Sequence, residues 1–253
     1  IKAGKWNRVP VVITMSMNET MGMMSIPDKG ISAFEDQVVA PLFSDYGRTK
    51  AHYVGTLKHN NIQPKDEASL LHTMLTDKLY TCSIRQLAAD LAKSGVPVHV
   101  GLFAHATKYD PARGKVNKEC EHGAVCQGSE MYYALPQGRG KGIPSSLAFV
   151  GDVQLAGRYS EEFVKFASGN APVWEQYNVQ SKPITFYDKK GPYVVHGYRN
   201  DQCRILDSSM GQVWPDAHKN RMFTSPLPPL RATTTDKPQM SLGKKTGVKA
   251  HKA

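Results

Sequence analysis

Nine residues near the start constrain the fold most. Val9-Pro10-Val11-Val12-Ile13-Thr14-Met15-Ser16-Met17 is β-branched and apolar, and it fits a strand buried in a sheet. A second such run, Val98 to Phe103, follows Gly95-Val96-Pro97. Between the two, Phe34 to Leu57 has weak helical spacing. Pro64-Lys65-Asp66-Glu67 opens a helix whose acidic first turn suits the dipole, with Leu70, Leu71, Met74, Leu75 and Leu79 in helical spacing. Ser83 to Lys93 continues as a helix closed by Ser94-Gly95. Further on, the pattern predicts a helix over Asp152 to Ala167 and short strands near Pro183 to Tyr187 and Tyr193 to Gly197. No internal repeat is present, and the glycines of Gln137 to Gly142 do not match the phosphate-binding spacing.

A chain of 253 residues with 40% hydrophobic content can bury a real core and counts as one domain on length. It has no run of eighteen apolar residues, so a membrane span is not expected. Starting at Ile1 reads as a processed chain or part of a longer one. The expected organisation is a domain over 1–225 and a Pro/Thr/Lys-rich extended tail over 226–253. That tail sets Arg231, Lys237, Lys244, Lys245, Lys249 and Lys252 against the lone Asp236, half of the formal +10 charge. A basic tail of this kind is expected to bind an acidic protein surface or nucleic acid inside a larger assembly.

The most informative motif is Cys120-Glu121-His122-Gly123-Ala124-Val125-Cys126-Gln127-Gly128-Ser129-Glu130-Met131. It resembles the Val-Cys-His-Gly-x-Glu-Leu segment of the type-B carboxylesterase and cholinesterase family, whose histidine is the triad base. Several other segments keep that family's order. Val9 to Glu19 is similar to its Val-Pro-x-x-Ile-Gly-x-x-x-Asp-Glu strand and loop. Leu75 to Cys82 with Arg85 to Ala88 is similar to a helix pair between acid and histidine, and Val96 to His105 to a late core strand. Tyr159 to Pro172, followed by Trp174, resembles a helix and turn further on. The resemblance implies an α/β fold: the C-terminal half of an α/β-hydrolase, a mixed sheet with flanking helices, here followed by the extended basic C-terminal tail.

By the same resemblance Glu19 stands at the catalytic acid and Gln127 at the histidine. A glutamine amide cannot take a proton near neutral pH, so it cannot activate a serine as an imidazole does. In the hydrolase order the nucleophile lies upstream of the acid, and no Gly-x-Ser-x-Gly occurs; Gly30-Ile31-Ser32-Ala33-Phe34 fails at its last glycine. Glu19 is expected to hydrogen-bond to neighbouring backbone or to Gln127, and Glu130 to keep its family role of supporting the loop. His122 is a poor substitute base, five residues out of place, and His99 and His105 are expected to be packed or on the surface. The resemblance also implies a small disulfide between Cys120 and Cys126, ranked above free thiols, with a zinc site on Cys120, His122 and Cys126 ranked last. Cys82 and Cys203 are expected to be buried thiols or unrelated positions.

These readings point to a catalytically inactive, esterase-like structural or interaction subunit of a larger assembly, with no cofactor and no metal. Its expected partners are an N-terminal hydrolase half or other subunits, because the strand before Glu19 would otherwise leave a sheet edge uncovered. Two alternatives stand beside it. One is the C-terminal chain of a split or processed carboxylesterase whose serine lies on a missing N-terminal part; the other is a secreted binding or adhesion module. A Cys120–Cys126 disulfide would favour a secretory or extracellular location, and its absence an organellar (such as mitochondrial) or cytoskeletal assembly.

Overall fold

The computed structural model describes residues 6–21, 23–27, 30–106, 123–135, 150–170 and 172–207. The chain divides after Val213. The predicted tail 226–253, its six cations and the boundary at 225 lie outside the described residues, as do Cys120, His122 and the 137–142 loop.

The apolar run at the start forms β1 (Val11–Ser16), and the second run forms β2 over its predicted span, Val98–Phe103. The two lie parallel, with Val11 opposite Val98 and Ser16 opposite Phe103. β3 (Pro183–Asp188) joins β2 in parallel, and β4 (Gly191–His196) closes the sheet antiparallel to β3, so the order is β1-β2-β3-β4. No other strand among the described residues pairs with the outer edge of β1.

Successive side chains of a strand point to opposite faces, and here each face has its own cover. Val98, Val100 and Leu102 of β2 with Ile184 and Phe186 of β3 pack against Ala88 and Leu91. Those two belong to α4 (Cys82–Lys93), whose buried positions Cys82, Arg85, Ala88 and Leu91 recur every third residue along one stripe. Its stop is Gly95, at φ +83, a left-handed conformation that costs glycine nothing. On the opposite face Phe103 and Tyr187 meet Leu155, Ala156 and Tyr159 of α6 (Val150–Ala167), together with Trp174. This second layer is aromatic: Tyr159 and Tyr187 cross edge to face at 4.7 Å, and Phe163 meets Trp174 at 4.9 Å.

Gly101 sits where Trp174 presses on the sheet. A Cβ there would lie 3.2 Å from Thr14 Cγ2 on β1 and 3.6 Å from the indole nitrogen of Trp174. Gly101→Ala should therefore destabilise the fold by about 1–2 kcal/mol, the cost of overpacking, and chemical denaturation would measure it. A neutral result would mean that Thr14 on β1 can give way.

The predicted weak helical stretch Phe34 to Leu57 is broken. After α1 (Ile31–Phe34), a π-helical turn (Glu35–Val39) and a 3-10 turn ending at Leu42, the chain restarts as α2 (Tyr46–His59). Pro41 and the Asp45 cap, which accepts from the Arg48 N–H at 3.1 Å, explain the break. α3 (Glu67–Thr76) starts where the acidic cluster predicts, with Asp66 capping the Ser69 N–H at 2.8 Å. A π-helical turn (Asp77–Thr81) then runs into α4. α5 (Met131–Ala134) is one turn, and α7 (Asn200–Asp207) ends the described chain.

One sequence expectation is corrected. Cys82 and Cys203 are neither free thiols nor unrelated: they form a disulfide with Cα atoms 5.2 Å apart, joining the first residue of α4 to α7 across 121 residues of sequence. Spacing in sequence carries no trace of this pairing, which exists because α7 folds back over the α3–α4 junction.

Candidate functional site

The site forms where β1 runs out at the carboxyl end of the sheet. The chain turns just after Ser16, so that the Ser16 N–H donates to Glu19 Oε1 at 2.7 Å. The Ser16 hydroxyl donates at 2.5 Å to Glu130 Oε2 on the loop 123–130. That loop docks along 17–21 like one more short ribbon. The Asn18 N–H donates to Val125 O at 3.0 Å, Val125 N–H donates to Asn18 Oδ1 at 3.0 Å, and Gln127 N–H reaches Met21 O at 3.4 Å. Glu19 and Thr20 are buried beneath it, at 5% and 0% exposure. Thr20 Oγ1 donates to the His72 carbonyl at 2.9 Å, which ties the same loop to α3.

Gln127 is exposed. Its amide Nε2 donates to Tyr80 OH at 3.2 Å, and that hydroxyl donates to Met23 Sδ at 3.1 Å. Glu19 therefore relies on backbone: its hydrogen-bond partner is the Ser16 N–H. Burial pushes the Glu19 carboxyl up to about 7, the Ser16 N–H opposes this, and the charge of Glu130 adds to the rise. Burial and the nearby Glu19 charge likewise raise Tyr80 above its ordinary range.

The structure thus brings Glu19, Gln127 and Glu130 of the predicted constellation to one place. His99 and His105 are elsewhere. His99 Nδ1 lies 2.8 Å from Trp174 O, and His105 Nε2 is buried on the Asp152 carboxylate, which also accepts from Tyr133 OH at 3.3 Å. Among the described residues no group of His, Cys, Asp and Glu side chains is arranged to hold a metal ion. None of their helices is long and apolar enough to cross a membrane.

Sequence reasoning missed Ser16, whose hydroxyl meets Glu130 across 114 residues, and Tyr80, which meets Gln127 across 47. It also missed that Asn18-Glu19-Thr20 matches the Asn-x-Thr glycosylation pattern. Asn18 Oδ1 is held by the Val125 N–H and Thr20 is buried, so in the folded chain this tripeptide serves the site's own hydrogen bonds.

The carboxylate after β1 and the loop docked over it thus lie together at the carboxyl end of the sheet. The model of the carboxylesterase family matches residues 1–206. The chain belongs to the carboxylesterase family. Its mixed sheet with flanking helices is accordingly part of an α/β-hydrolase fold, as the order of the motifs implied. A solved esterase from the anaerobe Clostridium hathewayi, described as able to hydrolyse aliphatic aromatic polyesters, is similar at a TM-score of 0.48 and 15% identity. That likeness covers 79% of this chain and 38% of the esterase's, so this carboxylesterase-family chain spans well under half of that protein. No curated protein matches it.

Proposed function

We propose that this carboxylesterase-family chain is a catalytically inactive structural or interaction subunit of a larger assembly. The observation that carries the reading is Gln127: its side chain donates an amide N–H to Tyr80, while Glu19 is left to the Ser16 N–H. A neutral amide has no basic nitrogen, so no group at this position can take a serine's proton and return it to a leaving alcohol. Loss of the histidine from a Ser-His-acid triad costs on the order of 10⁴ to 10⁶ in turnover. The Ser16–Glu130 bond and the Asn18–Val125 pair support reuse of the loop as a structural part.

The partner is an N-terminal hydrolase half or other subunits. The outer edge of β1, unpaired among the described residues and with Val11, Val12 and Ile13 half-buried, supports a protein partner along that strand. The basic tail, from Arg231 to Lys252, would supply a second attachment to an acidic surface or nucleic acid. One observation favours the secreted binding or adhesion module as a second reading. Cys82 and Cys203 are bonded to each other, and Cys126 also carries a disulfide, which supports Cys120 as its partner and an oxidising compartment.

The test is unreduced mass spectrometry of the native material, with hydrolysis of a short-chain ester measured in parallel. Unrelated subunits and no turnover are the expected result. A companion chain bearing Gly-x-Ser-x-Gly, with turnover that a serine-directed inhibitor abolishes, would overturn the inactive reading and establish a split esterase. Gln127→His in the same material should yield no measurable turnover.

A further inference from the structure

Glu19 and Glu130 come from different elements and converge on a single residue. Ser16 gives its N–H to Glu19 and its hydroxyl proton to Glu130, so two carboxylates share one short bridge at the end of β1. The other titratable groups facing them are Tyr80 from the π-helical turn and Tyr159 from α6. His72 of α3 stands on the far side of Thr20, with Nδ1 3.2 Å from its hydroxyl. Gln127, where an imidazole could have balanced the charge, is neutral and points to Tyr80. Among the described residues no lysine, arginine or histidine forms an ion pair with Glu19 or Glu130. Glu19 is buried with the Glu130 charge close by and no paired cation, which makes its ionisation costly.

We propose that Glu19, Ser16 and Glu130 form a proton-dependent latch, which holds the 123–130 loop on the end of β1 while Glu19 is protonated and loosens it when Glu19 ionises. Glu130 is carried by that loop, and the Asn18–Val125 hydrogen bonds are the contacts that open with it. The latch goes beyond the inactive-subunit reading. Ester turnover by the native material would overturn that reading and leave the latch untouched.

The direction follows from linkage. Burial, with the Glu130 charge, sets Glu19 in the closed loop at about 7, above its ordinary value of 4.5 when solvated. A raised carboxyl binds its proton more tightly in the closed state. The closed state is therefore at full strength below the ordinary carboxyl range, weakens as pH rises, and levels off above about 7. Between pH 6 and pH 8 the opening equilibrium should rise about tenfold.

Hydrogen exchange of the Asn18 and Val125 amides in the full-length protein, corrected for intrinsic base catalysis, reads this directly, with the β2 amides as reference. The expected result is about a tenfold loss of protection at Asn18 and Val125 between those pH values, absent in Glu19→Gln and unseen in β2. Protection that does not change with pH in the wild type, or the same change in Glu19→Gln, would overturn the latch. Should Glu19→Gln not fold, the Glu19 carboxyl can be titrated in the wild type by carbon NMR. A midpoint near neutrality that tracks the exchange supports the latch, and one in the ordinary carboxylate range overturns it.

Discussion

Replacing Cys82 and Cys203 together by alanine is expected to cost the fold about 4 kcal/mol. The bridge spans 121 residues, and closing a loop of that size removes roughly 4–5 kcal/mol of chain entropy from the unfolded state. Both sulfurs are buried, at 1% and 4% exposure, in the cluster that includes Tyr53, Leu57, Leu71, Met74 and Leu206. The bond therefore acts where α7 is already packed, and the alanines remove little apolar surface beyond the sulfurs themselves. For a chain of this length the loss corresponds to a fall of roughly 10 °C in melting temperature. Denaturation of the wild type with and without reductant, beside the double variant, measures it. A change below about 1 kcal/mol would show that α7 detaches before the rest unfolds, since a bridge to a segment already free constrains nothing.

The second large effect concerns the buried carboxylate of Asp77. It is 2% exposed, accepts from Tyr53 OH at 2.6 Å and lies 3.3 Å from the Arg199 Nε. Burial raises Asp77 above its ordinary range, and the Arg199 charge is the largest influence opposing that rise. Arg199 also adopts φ +60, a left-handed conformation that an arginine holds at a cost. Arg199→Met leaves a buried charge without its cation and is expected to destabilise the protein by about 3–5 kcal/mol. The deficit should depend on pH with a definite sign. Without the arginine, Asp77 rises further, so the folded variant binds a proton that the unfolded chain gives up. Its deficit is then smallest in acid and grows as pH climbs above the wild type's own raised Asp77 value, since below that value both chains lose stability together. Adding Asp77→Asn to Arg199→Met should recover a good part of the loss, because the buried carboxylate that Arg199 balanced is gone while Arg85 keeps its own bonds to Tyr198 O and Asn200. Urea denaturation of the single and double variants at two pH values checks both statements, and a deficit independent of pH would count against an ionised Asp77 as its source.

How the site was read from sequence, and where that reading stopped, follows from which interactions are local. Glu19 and Gln127 stand out in the sequence because each lies in a short segment whose residue order is itself the signal. Ser16 does not, since a serine inside an apolar strand gives no hint that its two polar groups will face carboxylates 3 and 114 residues away. Tyr80 reads as one more residue of a helix. It meets Gln127 only because a π-helical turn carries it to the mouth of the site.

The sequence by itself determined the strands and most of the helices, since alternation, helical spacing and caps such as Asp66 and Gly95 act between residues a few positions apart. It also determined the family, because the order of short motifs along the chain carries that signal. The tertiary structure alone decided the rest. The Cys82–Cys203 bond, the Asp77–Arg199 pairing and the Ser16–Glu130 hydrogen bond join residues far apart in the chain. Their energies depend on distance and burial, two quantities that exist only after the chain has packed.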